Sequence, residues 1–214
     1  MEWSYTRERG DDTLHVVSLE SDAEHVVPLG SGAEFSDDGR WVAYFLSPTF
    51  KDAEKARQND DPVLRKVELL ELTTGDKVAW DDAASFSFAK GSSHLLVEKR
   101  RKDTRAEHRG TDLILRNLRG GYDELIGSVD EAGFNKPGTH LAYTVDAADK
   151  DGNGLYLVEL ATGARRALDN AKERYARLTW SEEGNGLVAL HGETPEKKTE
   201  RANVLVAFNT VAHD

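Results

Sequence analysis

The sequence predicts an all-β fold built from repeated four-stranded antiparallel sheets. Two short motifs alternate along its 214 residues, and each places a glycine turn beside an apolar run. The glycines of the first motif lie 52, 47 and 46 residues apart, a spacing typical of repeats with four short strands. With 38% hydrophobic and 31% charged residues, the chain has the composition of a soluble globular protein with many solvated loops.

The first motif is an aromatic residue, a short polar turn with glycine, and an apolar strand. Its copies are Phe35–Gly39 before Trp41–Phe45, Phe88–Gly91 before Leu95–Val97, Phe134–Gly138 before Leu141–Tyr143, and Trp180–Gly184 before Leu187–Leu190. The four aromatic residues that open these copies recur once per repeat, so we expect them to pack between neighbouring sheets.

The second motif is an apolar strand that ends in a tight glycine turn. Its copies are Leu69–Gly75, Leu113–Gly121 and Leu155–Gly163, with degenerate copies at Leu14–Leu19 and Val204–Phe208. We expect Gly39, Gly75 and Gly163 to take the positive φ that tight hairpin turns require. Each repeat is therefore two linked hairpins.

Strands are predicted at about 2–8, 13–19, 24–29, 41–47, 66–72, 77–80, 84–88, 94–99, 111–118, 123–127, 131–134, 139–145, 154–160, 165–168, 175–180, 186–191 and 203–209. This order predicts an arc of a β-propeller, with three complete four-stranded blades and a partial blade at each end. One domain, 1–214, would divide into a partial blade 1–32, blades 33–82, 83–129 and 130–170, and a partial blade 171–214.

The long connections, 46–65, 100–110, 146–153 and 192–202, all join the second and third strands of a repeat. In a propeller such connections emerge on one face. Residues 48–58 follow a proline start with helix formers, so two helical turns are predicted there.

Charge and cysteine content exclude several classes of function. The net charge of −11 and a pI near 5.1 argue against non-specific nucleic-acid binding, because phosphates repel an acidic surface. No apolar run approaches the roughly 18 residues of a membrane span, and no signal-peptide core stands in the first 25 residues. With no cysteine, disulfides, thiolate nucleophiles and cysteine-bound zinc are excluded, and the compartment stays open.

No motif of catalysis or cofactor binding occurs in the chain. The segments Gly30–Gly32, Gly91–Ser93 and Gly127–Val129 lack the spacing of the Gly-x-Ser-x-Gly nucleophile elbow. Phosphate-binding loops, the dinucleotide fingerprint and the His-Glu-x-x-His metal helix are missing as well. We therefore assign no catalytic, cofactor-binding or metal residue, and expect no cofactor.

Three weaker patterns have two readings each. Asp149–Gly154 matches the first half of a calcium loop, but Leu160 stands where the bidentate glutamate belongs, so a turn is the favoured reading. His94 and His140 hold equivalent positions in two repeats, which favours an architectural role over catalysis. Lys99–Lys102 with Arg105 and Arg109 is a basic segment that would either dock an acidic partner or, as we favour, form a solvated loop.

The repeat resembles that of two groups of propellers. Phe35–Tyr44, together with the Leu-x-Leu-x-Thr-Gly turns at 69–75 and 155–163, is similar to the blades of TolB-type proteins and of prolyl oligopeptidase family (S9) serine peptidases. The order of Gly30–Gly39, the proline-led insert 48–58 and Gly110–Leu115 favours the N-terminal propeller of bacterial S9-like peptidases. The resemblance runs over most of the chain.

The S9 resemblance implies a non-catalytic propeller that filters peptide substrates and docks on a C-terminal α/β-hydrolase domain. That hydrolase domain is not part of this sequence, so the resemblance transfers no catalytic residue. The alternatives are a TolB-like propeller that binds another protein and, third, an enzyme in its own right. If the end blades are incomplete, we also expect self-association through their open edges.

Overall fold

The computed structural model describes residues 11–103, 105–193, 202–209 and 211. In this part the chain forms sixteen β-strands and one α-helix. It clusters into two compact units, Met1–Phe86 and Ser87–Asp214. Every described strand pair is antiparallel, which confirms the predicted all-β class.

The first unit holds a two-stranded sheet and a complete four-stranded sheet. The two-stranded sheet pairs β1 (Thr13–Val17) with β2 (Glu24–Pro28). The four-stranded sheet has the order β3 (Gly30–Phe35), β4 (Trp41–Leu46), β5 (Lys66–Glu71) and β6 (Lys77–Trp80). Strands adjacent in sequence are adjacent in the sheet, as in a propeller blade.

The helix α1 (Phe50–Gln58) lies in the connection between β4 and β5, where two helical turns were predicted. Thr49 caps it, since its side-chain oxygen accepts a hydrogen bond from the backbone N–H of Asp52 at 3.1 Å. No helix in the described ranges combines the length and the apolar character that crossing a membrane would demand.

The division between the units falls within β7 (Ala83–Phe88), and all later strands belong to the second unit. A seven-stranded sheet continues in chain order through β8 (His94–Lys99), β9 (Thr111–Asn117), β10 (Tyr122–Phe134), β11 (His140–Val145), β12 (Gly154–Glu159) and β13 (Arg165–Asn170). A three-stranded sheet follows, with the order β14 (Arg174–Trp180), β15 (Leu187–Glu193) and β16 (Ala202–Phe208).

The long strand β10 belongs to two blades. Its first half pairs with β9 and its second half with β11, and both pairings shift register near Ser128, whose φ is 58°. The seven-stranded sheet is therefore two four-stranded blades that share a continuous strand. Across the described residues, three four-stranded blades with partial sheets before and after them match the predicted propeller blades.

Two strand predictions need correction. The separate strands predicted at 123–127 and 131–134 are one strand, because the bulge at Ser128 bends the chain without interrupting its pairing. Strand β3 was not predicted, because Gly30 and Gly32 have no side chains and the segment therefore lacks the apolar alternation typical of a strand. The strand predicted at 2–8 lies outside the described residues.

Burial and turn geometry explain the repeated motifs. Trp41, Val42, Ala43 and Tyr44 are all buried, because both faces of the sheet are covered, so the strand reads as an apolar run rather than an alternation. The turn glycines Gly39, Gly75 and Gly163 have φ values of 66°, 77° and 73°, as predicted. Hydrophobic clusters within each unit join side chains of successive blades or sheets.

Candidate functional site

Two recesses in the second unit hold ionisable side chains. The first, called the inner cleft, has a volume of about 320 Å³ and runs along the first strands of two successive blades, the second half of β10 and β14. Its lining residues are Glu98, Asp130, Glu131, Ala132, Gly133, Leu178 and Trp180. Carboxylates on one side and an indole and an isobutyl group on the other give it a mixed, acidic character.

Asp130 is held by an arginine of the neighbouring blade. The Arg174 guanidinium lies 2.6 Å from Asp130 Oδ2 through Nη2 and 2.7 Å through Nε, and its Nε lies 3.9 Å from Asp146. Burial raises the pKa of Asp130, and the hydrogen bond and charge of Arg174 oppose that rise. Asp130 is therefore part of a blade-to-blade contact.

Glu131 anchors the backbone of the next blade. Its carboxylate accepts hydrogen bonds from the backbone N–H groups of Arg177 at 3.0 Å and Leu178 at 2.7 Å. Arg177 has a φ of 55°, and the pairing of β14 with β15 shifts register there, so its N–H points away from the ladder. The carboxylate satisfies donors that the bulge leaves without a strand partner.

The apolar wall is fixed by a further hydrogen bond. Trp180 Nε1–H donates to the carbonyl oxygen of Gly133 at 2.9 Å, and both Leu178 and Trp180 pack against the hydrophobic cluster around Tyr175. The cleft is thus a groove of mixed chemistry, in which Asp130 and Glu131 already have protein partners.

The second recess, called the His94 pocket, is smaller, at about 80 Å³. It is lined by His94, Leu115, Asn117, Tyr122, Glu124, Val158, Leu160, Ala161, Thr162 and Gly163. His94 Nδ1 lies 3.0 Å from Ser93 Oγ, and His94 Nε2 lies 3.2 Å from Asn117 Nδ2. A serine beside a histidine raises the question of nucleophile activation.

The hydrogen bonds give this pair the wrong proton arrangement for such activation. Asn117 Oδ1 accepts the backbone N–H of Gly120 at 2.7 Å, so its Nδ2 is the donor toward His94 Nε2. Burial lowers the pKa of His94, which favours a neutral ring with one proton, and that proton is then on Nδ1. His94 therefore donates to Ser93 Oγ and does not accept its proton.

The calcium-like segment is a turn between β11 and β12. Asn153 is buried, its Oδ1 accepts the N–H of Ala147 at 2.7 Å, and its Nδ2 donates to the carbonyl of Lys172 at 3.1 Å. Asp149 and Asp151 are exposed. Within the described ranges, no three His, Cys, Asp or Glu side chains converge as a metal site would require.

The basic segment is a loop that one of its own residues closes. The guanidinium of Arg101 donates to the carbonyls of Asp103 at 2.9 Å, Ala106 at 2.6 Å and His108 at 2.7 Å. The backbone N–H of Arg109 donates to Asp146 at 2.8 Å. Arg105 and Arg109 are exposed, which agrees with the favoured solvated loop.

The repeated histidines and aromatic residues that the sequence singled out differ in burial. His94 is buried and His140 is half-buried, with Thr139 Oγ1 2.9 Å from its Nδ1. Phe134 and Trp180 pack on hydrophobic clusters, whereas Phe35 is 46% exposed, so the core role predicted for Phe35 was wrong. No sequence pattern pointed to Asp130, Glu131 or Arg174, because none of the three recurs in the repeats.

Neither a protein-family model nor a curated protein matches this chain. Among solved structures it is similar to the β-propeller domain of the trilobed protease from Pyrococcus furiosus, with a TM-score of 0.48 and 11% identity over 93% of this chain and 61% of that one. It is also similar to TolB from Acinetobacter baumannii, with a TM-score of 0.44 and 15% identity over 93% of this chain and 46% of TolB.

A third similar structure is the tricorn protease, with a TM-score of 0.49 and 10% identity over 92% of this chain and 19% of the protease. The chain spans less than two thirds of each of these three structures. At this level the likeness carries no argument about function, and the blade assignment rests on strand order and register. The two recesses thus belong to β-propeller blades, and the polar contacts that line them tie one strand or blade to the next.

Proposed function

We propose that this chain is a non-catalytic part of a propeller in an S9-like serine peptidase, where it restricts substrate access and docks on an α/β-hydrolase domain. The observation that carries the proposal is the inner cleft, a groove along the first strands of two blades. Its side chains Asp130 and Glu131 serve blade-to-blade contacts. Such a groove suits a passage that peptides touch without reacting.

The His94 pocket supports the non-catalytic part of the proposal. A serine nucleophile needs a base that accepts its proton, and His94 has its proton on the nitrogen that faces Ser93. The expected result is that the purified chain neither cleaves peptide substrates nor reacts with a fluorophosphonate probe. Labelling that disappears in Ser93→Ala would contradict the proposal, and Ser92→Ala is the matched control.

The peptidase part is tested by the source reading frame beyond Asp214. A following Gly-x-Ser-x-Gly segment with later Asp and His residues would support a gating propeller. A stop codon directly after Asp214 would refute it and leave a TolB-like module that binds another protein. If the hydrolase domain is present, omitting this chain from the enzyme should increase cleavage of folded or long substrates relative to short peptides, because a filter acts on size.

A further inference from the structure

The inner cleft lies beside an excess of negative charge. Its described lining includes the carboxylates of Glu98, Asp130 and Glu131, and none of those lining residues is basic. The Arg174 guanidinium pairs with Asp130 at 2.6 Å. The same guanidinium lies 4.0 Å from Glu131 and 3.9 Å from Asp146. Three carboxylates therefore share one guanidinium, and the backbone N–H groups that bind Glu131 add only partial charges.

The acidity of Asp130 agrees with this excess. Burial raises its pKa, the hydrogen bond and charge of Arg174 oppose the rise, and the charges of Glu131 and Asp146 add to it. The balance is a raised pKa, so the partners present do not fully stabilise the ionised carboxylate. A further cation in the cleft would favour the ionised form, and the cleft therefore gains by binding one.

The opposite wall suits an organic cation with a hydrocarbon stem. Trp180 Nε1–H, the only polar group of the indole, donates to the carbonyl oxygen of Gly133 at 2.9 Å. The ring therefore offers the cleft only carbon and π-electron surface, which attracts a cation placed over its face. Leu178, on the same wall, can cover an aliphatic stem. A metal ion would make no use of these two side chains, whereas a lysine or arginine side chain would.

The size of the cleft matches a single side chain of a peptide. Its volume of about 320 Å³ is at the lower end of the range for ligand pockets, about 300–1,000 Å³. The small residues Ala132 and Gly133 complete its lining and leave room between the two walls. A guanidinium both stacks on aromatic rings and forms forked hydrogen bonds with carboxylates, so arginine would use both walls. The net charge of −11 also attracts a cationic peptide to the molecule.

We propose that the inner cleft binds the side chain of a basic residue, arginine in preference to lysine, in a peptide that enters the propeller. The inference rests on the proposed function, because it names the class of peptide that the passage would admit. Peptide binding is measured on this chain by itself, and the peptidase assignment is tested in the reading frame beyond Asp214. Failure of one is therefore distinguishable from failure of the other.

Binding of a capped peptide to the purified chain tests the proposal. The probe is Ala-Ala-Arg-Ala-Ala with an acetylated N-terminus and an amidated C-terminus, so the guanidinium is its sole charge. Peptides with glutamine or glutamate in place of the arginine are the matched controls. The readout is the indole N–H peak of Trp180 in a nitrogen–proton NMR spectrum, identified as the peak that is missing in Trp180→Phe.

The arginine peptide should shift the Trp180 peak with an affinity about 10-fold or more above that of the glutamine peptide, because several carboxylates attract its charge. The glutamate peptide should leave the peak in place. Raising sodium chloride from about 0.05 to about 0.5 M should weaken binding of the arginine peptide, because salt screens the attraction. Equal affinities for the arginine and glutamine peptides, or no shift of the Trp180 peak by millimolar arginine peptide, would overturn the proposal.

Glu98→Gln tests the carboxylate wall. Asp130 and Glu131 hold the neighbouring blade, so their replacement would change more than the charge of the cleft. Glu98→Gln should weaken the arginine peptide about 3- to 5-fold, with urea unfolding as the check that the variant is folded. Glu183→Gln removes the same charge from an exposed turn and should bind as the unmodified chain does. Equal affinity of the two variants for the arginine peptide would overturn the proposal.

Discussion

Replacing Glu131 with alanine removes a carboxylate that binds two backbone N–H groups of the neighbouring blade. The donors belong to Arg177 and Leu178, at the bulge of β14. No strand partner replaces the lost acceptor, since the bulge turns these groups away from β15. The substitution should therefore weaken the contact between two blades without creating a cavity in the core.

The expected loss follows from the two hydrogen bonds. A hydrogen bond to a charged group contributes about 1.5–3 kcal/mol. The Glu131 side chain is 33% exposed, so water can replace part of the interaction. We expect Glu131→Ala to lower the free energy of unfolding by about 2–3 kcal/mol, and Tm by about 5–10 °C for a chain of this size. Glu131→Gln keeps one acceptor oxygen and should lose about half as much.

The assay is urea and thermal unfolding followed by circular dichroism. Glu183→Ala is the control, because Glu183 is exposed in the turn after β14 and its replacement should stay within about 0.5 kcal/mol of the unmodified chain. If Glu131→Ala were as stable as Glu183→Ala, Glu131 would not anchor the bulge.

Three further changes have distinct expected results. Gly138→Ala should lower the free energy of unfolding by about 3 kcal/mol or more, because a Cβ there would lie 2.1 Å from the carbonyl oxygen of Lys90. Gly163→Ala, at a similar φ of 73° but with open space around it, should lower it by about 1 kcal/mol. Thermal unfolding compares the two variants, and equal losses would contradict the packed turn at Gly138. Burial lowers the pKa of His94 in the folded chain, so the unfolded state binds the proton more readily, and stability should fall as pH drops below about 6.5. His94→Gln should reduce the loss of stability between pH 7.5 and pH 5, measured by urea unfolding at both pH values. An equal loss in His94→Gln and in the unmodified chain would contradict this prediction. Asn153→Ala should lower the free energy of unfolding by about 2–3 kcal/mol, because its buried hydrogen bonds are lost. Millimolar calcium should leave the Tm of the unmodified chain unchanged, and a calcium-dependent rise in Tm would support a calcium site instead of a turn.

The repeat and its turns could be read from the sequence because they depend on near neighbours. A glycine such as Gly75 takes a positive φ for reasons contained in its own turn. Apolar runs such as Trp41–Tyr44 identify strands covered on both faces. The helix at Phe50–Gln58 follows from its cap and its helix-forming residues.

The contacts between blades could not be read in the same way. Glu131 and Arg177 are 46 residues apart, and Arg174 and Asp130 are 44 apart. Neither pair repeats along the chain, so no periodic pattern identifies it. The exposure of Phe35 also depends on what covers its sheet, although its motif is the same as that of Phe134.

The sequence by itself determined the four-stranded repeat, the glycine turns, the acidic charge and the lack of a nucleophile motif, because each depends on composition or on residues a few positions apart. Only the tertiary structure decided that Asp130 and Glu131 tie blades together and that His94 has its proton toward Ser93. Those properties depend on which distant strands become neighbours, and on which polar groups their pairing leaves for side chains to satisfy.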